Sequence, residues 1–364
     1  MMETVKSTSE SVRAQKNSSL PLSSSVSFSI SFLASVLIVS WFSYQTVKKE
    51  VKTLLLGQLS MSLPRSVKMF KIWESNMKAN AEALASDPDI QKHSLALKKM
   101  HDSSKTDIER VLRGKELKTL RLDLNSTLKS FGFLGFVLLD ETGFCFAASE
   151  DAAMGHRKIV DLLGKRFVDL ALSGNTIVTL PFKAEIEIPD ERGTLKDDWP
   201  NLLIATPVLD VKGEFIGVLG LRLRPETVFS NIFEIERAGE TGEIYAFNGS
   251  GIIISKSRFE DQIKKLGLID DRPDSPSILN LSLKNPGVDL TQGFKPHMSS
   301  SEQPFTRMAL SALNGENGHD LNGYRDYRGV EVVGVWAWLP EFGFGIASEM
   351  DYEEAFSFLH KLET

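Results

Sequence analysis

The most apolar part of the chain is a segment without charged residues at 26–44, VSFSISFLASVLIVSWFSY. As a helix this segment is about 28 Å long, which matches the hydrocarbon core of a bilayer. Its serines reduce the hydropathy, but a serine hydroxyl can bond to a carbonyl of its own helix. Because no small-residue cleavage site follows, a transmembrane helix is favoured over its alternative, a cleaved signal peptide.

Residues 1–25, which precede this segment, are rich in Ser, Lys and Glu and have no apolar periodicity. Such a composition cannot bury enough surface to fold, so it predicts a disordered tail. The basic residues around the membrane segment do not orient it, because three lie within residues 6–16 and three within residues 48–52. The direction of insertion therefore needs another argument.

Beyond the membrane segment, the spacing of the apolar residues predicts helices. From 45 to 85 these residues recur at intervals of three and four, which indicates a long amphipathic helix. The segment 86–89, Ser-Asp-Pro-Asp, ends this helix, since proline disfavours the helical conformation of the preceding residue and either aspartate can cap the next helix. A further helix is predicted at 106–131. Residues 45–131 together form a helical stalk in this interpretation.

After Gly132 the apolar residues alternate as in a strand, and β-branched and aromatic residues dominate. Two hairpins are predicted, one at 136–148 around Glu-Thr-Gly and one at 202–224 around Asp-Val-Lys-Gly. A further strand is expected between them at 175–182, and a short helix at 226–236. We assign residues 132–235 to a first sheet module, distal to the membrane.

A second module with the same plan, proximal to the membrane, is predicted at 236–350. It opens with a hairpin around Asn-Gly-Ser-Gly and contains a long polar stretch. Asp351 is expected to cap a last helix, which occupies 351–364. The predicted elements of this module are strands at 243–248 and 251–255, a helix at 306–313, and strands at 323–327, 330–339 and 343–350.

Composition limits the functional classes. The chain has 364 residues, of which 42% are hydrophobic and 25% charged, enough for two domains of ordinary size. The net charge of −6 argues against a nucleic-acid partner, because phosphate binding uses clustered Lys and Arg. The one cysteine, Cys145, excludes an intrachain disulfide, and its flanking phenylalanines predict a buried, unreactive thiol.

Several stretches of the chain have a family resemblance when taken in order. In this order they resemble the double Cache sensor domain of bacterial transmembrane receptors, over about residues 45–356. The resemblance implies an α+β fold: an N-terminal transmembrane helix, a long stalk helix and two tandem PAS-like antiparallel-sheet modules. The stretches are Ile72-Trp-Glu, Ala83-Leu-Ala-Ser-Asp-Pro88, Ile204–Leu221, Gly239–Phe247, Gly323–Gly329 and Trp336–Pro340.

The resemblance also implies how the protein is placed and what it works with. It implies a cytoplasmic N-terminus and a single-pass protein of the cytoplasmic (inner) membrane, with the sensor outside. A homodimer through the stalk helix is an expected partner arrangement. In the family a second membrane helix leads to a kinase, cyclase or chemotaxis domain, whereas this sequence stops at Thr364 without one. We therefore expect the output domain in a longer receptor or in a separate partner protein.

In the first module the candidate ligand-binding residues are Arg166, Trp199 and Arg222. The first two lie between the hairpins, and Arg222 lies in the last strand, so a pocket is expected on the sheet face away from the stalk helix. The planar guanidinium of Arg222 is a candidate anchor for a carboxylate, with an exposed edge charge as the alternative. The Tyr, Arg, Trp-Tyr and Asp pattern of amino-acid-sensing members is not found, so an amino-acid ligand is not indicated.

In the second module Tyr245, Tyr324, Asp326 and Trp336 are aromatic and polar residues of the type that lines small-molecule pockets. Core packing explains the aromatic residues equally well. For Asp326 the alternative is a role in the hairpin turn that ends at Gly329.

Enzyme motifs are missing from the sequence. The six histidines are scattered without His-x-x-x-His or Glu-x-x-His spacing, so no metal site and no cofactor is predicted. No phosphate-binding glycine loop is found either. A small-molecule sensor is therefore the leading hypothesis, a membrane-tethered structural or interaction module is the alternative, and an anchored periplasmic enzyme is the least favoured.

Overall fold

The computed structural model describes residues 22–103, 108–163, 165–183, 188–189, 195–196, 199–235, 237–272 and 274–359. Most of the expected tail, residues 1–21, and the end of the expected last helix, residues 360–364, lie outside the described residues. The chain divides into two units, Met1–Thr53 and Leu54–Thr364.

The first helix, α1, runs from Leu22 to Ala85. Residues 22–25, expected in the disordered tail, form its first turn, because serine is readily accommodated at the start of a helix. The large apolar side chains between Phe28 and Phe42 are exposed. Among the described residues, α1 is the one helix long and apolar enough to cross a membrane.

Three shorter helices follow: α2 (Pro88–Ser103), α3 (Ile108–Leu112) and α4 (Lys115–Ser130). The Asp87 carboxylate accepts hydrogen bonds from the amides of Asp89 and Ile90, at 2.9 and 3.2 Å, which confirms the predicted cap. The helix predicted at 106–131 is divided at Gly114, whose extended backbone (ψ 143°) separates α3 from α4. Glycine is a weak helix former, which explains the break.

We keep distal and proximal as labels for the sheets of the first and second predicted modules. The distal sheet follows α4 and has six antiparallel strands, ordered β2-β1-β8-β7-β3, with β4 also paired to β7. Asp140 and Asp210 accept amide hydrogen bonds across the two predicted hairpin turns. The described strands are β1 (Gly135–Leu139), β2 (Cys145–Ala148), β3 (Ile177–Val178), β4 (Phe182–Lys183), β5 (Ile188–Pro189), β6 (Leu195–Lys196), β7 (Pro200–Leu209) and β8 (Phe215–Leu223), of which β5 and β6 pair only with each other.

The segment between the hairpins differs from its prediction. It contains helices α5 (Lys158–Leu163) and α6 (Lys165–Leu172). The strand predicted at 175–182 is instead the two short strands β3 and β4, with Pro181 just before the second. Proline has no amide hydrogen for a β-ladder, which accounts for the interruption.

A π turn (Pro225–Phe229) and α7 (Ser230–Glu234) occupy the helix predicted at 226–236 and connect the two sheets. The proximal sheet has four antiparallel strands in the order β10-β11-β12-β9. Helix α9 begins after Thr306, whose hydroxyl accepts from the Ala309 amide. The elements are β9 (Glu243–Asn248), α8 (Glu260–Lys265), α9 (Arg307–Leu313), β10 (Gly318–Arg325), β11 (Glu331–Leu339), β12 (Phe344–Asp351) and α10 (Tyr352–Ala355).

Two predictions for this module are wrong. The strand expected at 251–255 forms only isolated bridges, because its amides alternate between two partners: Ile254 donates to Ala246 and Ile253 donates to Leu281. Asp351 makes no side-chain cap to α10. Its carboxylate accepts instead from Arg328 Nη2, at 2.6 Å.

Candidate functional site

The structure brings Tyr245, Tyr324 and Trp336 together, but inside the core of the proximal module. The two tyrosine hydroxyls donate to opposite oxygens of the Glu349 carboxylate, at 2.7 and 2.6 Å. Trp336 packs against Tyr324 and donates its indole N–H to the Ser311 hydroxyl at 3.1 Å. All three rings are buried, so the core-packing interpretation describes their surroundings.

Asp326 lies in the turn between β10 and β11. Its Oδ1 accepts from the amides of Arg328 and Val330, at 2.8 and 3.0 Å, which is the geometry of the expected hairpin turn. Its Oδ2 accepts from Arg328 Nε at 2.7 Å. Burial raises the pKa of Asp326 to about 6, in opposition to the attraction of the guanidinium. The carboxylate is therefore held by its own turn.

Two buried glutamates next to these residues were missed by the sequence analysis. Glu349, on β12, lies directly across from Glu243, on β9. The Glu243 carboxylate accepts from Ser257 Oγ at 2.7 Å, from the Arg258 amide at 2.6 Å and from the Tyr327 hydroxyl at 2.6 Å. A signal was present for Glu349, which lies within a strand of otherwise apolar or small residues, whereas Glu243 begins its strand and has no such signal.

Burial raises the pKa of Glu349 to about 8, and the charges of Asp326 and Glu243 act in the same direction. The two tyrosine hydrogen bonds lower this pKa, but they do not reverse the shift. The interior of the proximal module therefore holds a carboxyl group whose pKa lies far above its ordinary value.

The distal module has a cleft of about 600 Å3 beside α4 and the ends of β1, β2 and β8. One wall is α4, and Arg222 on β8 lies in the opposite wall across the strand from Gly135. A Cβ on Gly135 would lie 3.0 Å from the Ser149 hydroxyl, so glycine lets these groups approach closely. The lining residues are Arg121, Leu122, Asn125, Leu128, Lys129, Phe133, Leu134, Ser149, Glu150 and Arg222.

Arg222 is half-buried, and burial lowers the pKa of its guanidinium to about 10, while the Glu150 carboxylate opposes this shift. The group therefore stays charged at neutral pH in a partly desolvated position. Arg121 is oriented by its neighbours, since it donates to the Ala148 carbonyl at 2.8 Å and to the Asp151 carboxylate at 2.7 Å. Three cationic side chains and one carboxylate thus line the cleft.

The cleft is not where the sequence analysis expected it. Trp199, just before β7, is half-buried, and its ring lies 5.9 Å from the Arg224 guanidinium rather than in the cleft lining. Arg166 belongs to α6, and its side chain is outside the described part of the chain. The structure therefore places Arg222 in one cleft with residues of α4. The polar residues of α4 were missed because they have the spacing of an ordinary solvated helix face.

Neither place resembles a metal centre. Among the residues that the structure describes, no group of three or more His, Cys, Asp and Glu side chains could hold a metal ion.

In the described residues the chain has a long helix with an apolar first part, followed by two open antiparallel sheets. A family model described as Cache domain, of the double Cache type, matches residues 79–358. The chain therefore belongs to the Cache family, whose members are extracellular ligand-binding sensor domains of receptors rather than enzymes. A comparison with curated proteins gave no match.

Several solved structures are similar to the chain. The sensor domain of the histidine kinase DctB from V. cholerae is 12% identical, with 85% of this chain and 98% of that chain covered and a TM-score of 0.45. The ligand-binding domain of the Pseudomonas aeruginosa PAO1 amino acid chemoreceptor PctB, in complex with L-Gln, is 16% identical over 84% and 96%, with a TM-score of 0.42. An extracellular ligand binding receptor from Desulfohalobium retbaense DSM5692 is 14% identical, with a TM-score of 0.39. The match covers 80% of this chain but 40% of the length of that receptor.

Proposed function

We propose that this protein is the extracytoplasmic small-molecule sensor of a bacterial signal-transduction receptor, anchored in the cytoplasmic (inner) membrane by residues 26–44. Membership of the Cache family and the apolar first part of α1 support this proposal. In it, residues 132–235 are the membrane-distal module, residues 236–350 are the proximal module, and residues 351–364 begin the exit helix.

The ligand site in this proposal is the distal cleft, and the observation that carries it is the position of Arg222. A charged guanidinium that has lost part of its hydration gains most from a ligand oxygen anion, because its planar fork can bind two oxygens at once. Arg121 and Lys129 in the lining add to this preference. The ligand class is therefore a small carboxylate, with its apolar part against Leu128 and Phe133.

The proximal residues are a less suitable ligand site. A molecule bound at Tyr245, Tyr324, Asp326 and Trp336 would have to displace the packing and hydrogen bonds that these residues already make. Replacing such bonds costs free energy for each buried group left unpaired. This cost is the reason for placing the ligand in the distal module.

A ligand in the cleft would contact both α4 and the strand that bears Arg222. Such a ligand shifts the receptor toward the arrangement of helix and sheet that binds it more tightly. Through α4 the shift biases the stalk against the exit helix, and the output domain or partner protein responds. The size of the response is limited by the difference in affinity between the two arrangements.

The test is thermal unfolding of the full chain in lipid nanodiscs against a panel of small carboxylates and their amides. A binder at about 100 times its Kd stabilises the native state by about 2.7 kcal/mol. Arg222→Ala is expected to abolish the stabilisation, whereas Arg113→Ala, which removes an exposed arginine paired with Glu109, leaves it intact. No stabilisation by any carboxylate, or equal stabilisation of Arg222→Ala, would favour the interaction-module alternative.

We further propose that the receptor is a homodimer through the stalk helix. Leu54, Met61 and Ile72 on α1 are all more than half exposed. Leu54 and Met61 are seven residues apart, a spacing that places both side chains on one side of a helix. Replacing Leu54, Met61 and Ile72 by serine is expected to convert a dimer into a monomer in light scattering of the detergent-solubilised chain.

A further inference from the structure

The end of the proximal module is closed by hydrogen bonds to one carboxylate, that of Glu354 on α10. It accepts from the amides of Glu240 and Thr241, at 2.8 and 2.7 Å, and from the Thr241 hydroxyl. The Thr241 hydroxyl also accepts from the Asp351 amide at 3.1 Å. These contacts, here named the exit latch, tie α10 to the loop before β9.

Glycine is required at the centre of the exit latch. Gly239 has a φ of +59°, and a Cβ there would lie 2.3 Å from Glu354 Oε1. The loop at 239–242 can therefore approach α10 closely only with this residue.

In the sequence, the buried pair Glu243 and Glu349 lies close to the residues of the exit latch. Glu243 is two residues after Thr241, and Glu349 is five residues before Glu354. Directly opposed residues of an antiparallel pair have Cβ atoms about 5 Å apart, and like charges at such positions destabilise the pair. Both side chains are at most 4% exposed, so water screens this repulsion very little.

The groups that face the pair do not neutralise two negative charges. Tyr245 on β9, Tyr324 on β10, and Tyr327 and Asp326 in the turn after β10 surround it. The Arg328 guanidinium already binds the carboxylates of Asp326 and Asp351, at 2.7 and 2.6 Å. The Arg258 guanidinium donates to the carbonyls of Gly239 and Gly242, and only its amide binds Glu243.

We propose that this carboxylate pair is a proton-operated switch, in which one proton on Glu349 keeps the exit latch closed. The proton weakens the hydrogen bonds that the two tyrosine hydroxyls donate to the carboxyl, since a neutral acceptor is weaker than a charged one, but it removes the second negative charge of the pair. Release of the proton to solvent puts two like charges across β9 and β12 and drives the strand ends apart. The switch needs no ligand, so it stands or fails independently of the proposed carboxylate site.

Electrostatics places the switch in an accessible pH range. Burial raises the pKa of Glu349 to about 8 from an ordinary value of 4.5. The folded state therefore holds the proton more tightly than the unfolded state. The resulting stabilisation is complete below 4.5 and is lost as the pH rises through about 8.

Hydrogen–deuterium exchange of the ligand-free full chain in nanodiscs tests the proposal at pH values on both sides of about 8. After correction for the intrinsic pH dependence, the amides of Glu240 and Thr241 are expected to exchange about tenfold faster above the midpoint. In Glu349→Gln, which keeps the site neutral, their protection is expected to be independent of pH. Glu331→Gln, an exposed change on β11, is the matched control and retains the wild-type profile.

A second variant keeps the test decisive if Glu349→Gln does not fold. Tyr324→Phe removes a hydrogen bond that lowers the pKa of Glu349, so the midpoint is expected to move to higher pH. An unchanged midpoint in Tyr324→Phe, a pH-independent wild type, or a wild-type profile in Glu349→Gln would each overturn the proposal. Infrared difference spectra must also show the loss of a protonated carboxyl band across the wild-type midpoint.

Discussion

Phe70 on α1 packs edge-on against Phe229 in the π turn, with 5.8 Å between the ring centroids. Phe70 also contacts Phe342 and Phe344, at 4.8 and 5.2 Å, where β12 begins. One residue of the stalk thus touches both the connector between the sheets and the proximal sheet. Movement of α1 along its axis must disturb this cluster of four rings.

Phe70→Ala is expected to lower the free energy of unfolding by about 3 to 5 kcal/mol, because it removes a buried ring from a packed cluster. Denaturant unfolding of the solubilised chain measures this change. Lys68→Ala, two residues away at an exposed position of α1, serves as the control with an expected change within about 0.5 kcal/mol. Similar losses for both variants would show that the cluster does not hold the stalk.

Asp140 joins the first hairpin to α2. Its Oδ1 accepts from the Thr142 and Phe144 amides, at 2.8 and 2.9 Å, and its Oδ2 lies 3.2 Å from His101 Nε2. Burial alone would raise the pKa of Asp140, but these hydrogen bonds together lower it below its ordinary 3.8. The charged form is therefore the one that stabilises the hairpin.

Asp140→Asn is expected to lower stability at neutral pH by about 1 kcal/mol, since the hydrogen bonds to a charged acceptor become weaker. A depressed folded pKa gives stability that is present above 3.8 and is lost as the pH falls through the folded value. Acid unfolding curves of the variant should lack this loss, whereas Asp102→Asn, at an exposed site on α2, should keep it. An unchanged acid profile in Asp140→Asn would contradict the assignment.

The elements that could be predicted from the sequence are those with local causes. Apolar spacing predicts α1 and the leucines of α4, and the turn sequences Glu-Thr-Gly143 and Asp210-Val-Lys-Gly213 predict two hairpins. The prediction of one strand at 175–182 failed for a local reason. The residue pattern fits a strand, but Pro181 interrupts the ladder of hydrogen bonds. The strand at 251–255 failed for a different reason: its amides alternate between Ala246 on β9 and Leu281, and the second partner lies beyond any local pattern.

The candidate site was harder to predict than the fold. Pockets and cores contain the same types of aromatic residue. Tyr245 and Trp336 could therefore not be assigned to either without knowing what covers them. Glu243 and Glu349 are 106 positions apart, and only the register of β9 with β12 makes them neighbours. Arg222 is a candidate because a charge within an apolar strand is a local anomaly, whereas no local pattern indicates that α4 lines the same cleft.

Arg328 is the common partner of Asp326 and Asp351 and stacks on the Phe259 ring at 3.7 Å. Arg328→Met leaves two carboxylates without their cation, one of them fully buried. This change is expected to lower the free energy of unfolding by about 3 to 5 kcal/mol, the usual cost of removing one member of a buried ion pair.

The double variant Arg328→Met with Asp326→Asn separates charge from packing. Neutralising the buried aspartate is expected to recover part of the loss, because the uncompensated charge is then gone. Chemical denaturation of the two single variants and the double variant measures the coupling. Strictly additive effects would mean that the turn geometry, and not the ion pair, accounts for the stability.

Cys145 provides a probe of the distal sheet that needs no substitution. The thiol is buried in β2, and burial raises its pKa to about 12, so the reactive thiolate is scarce at neutral pH. Alkylation of the native chain is therefore expected to be slow and limited by opening of the β1–β2 hairpin. Because the chain has no other cysteine, mass spectrometry reports this one site.

Asp140→Asn, which weakens that hairpin, should speed the alkylation several-fold, whereas Asp102→Asn should not. Rapid labelling of the wild type would place the thiol at the surface and contradict its burial in β2.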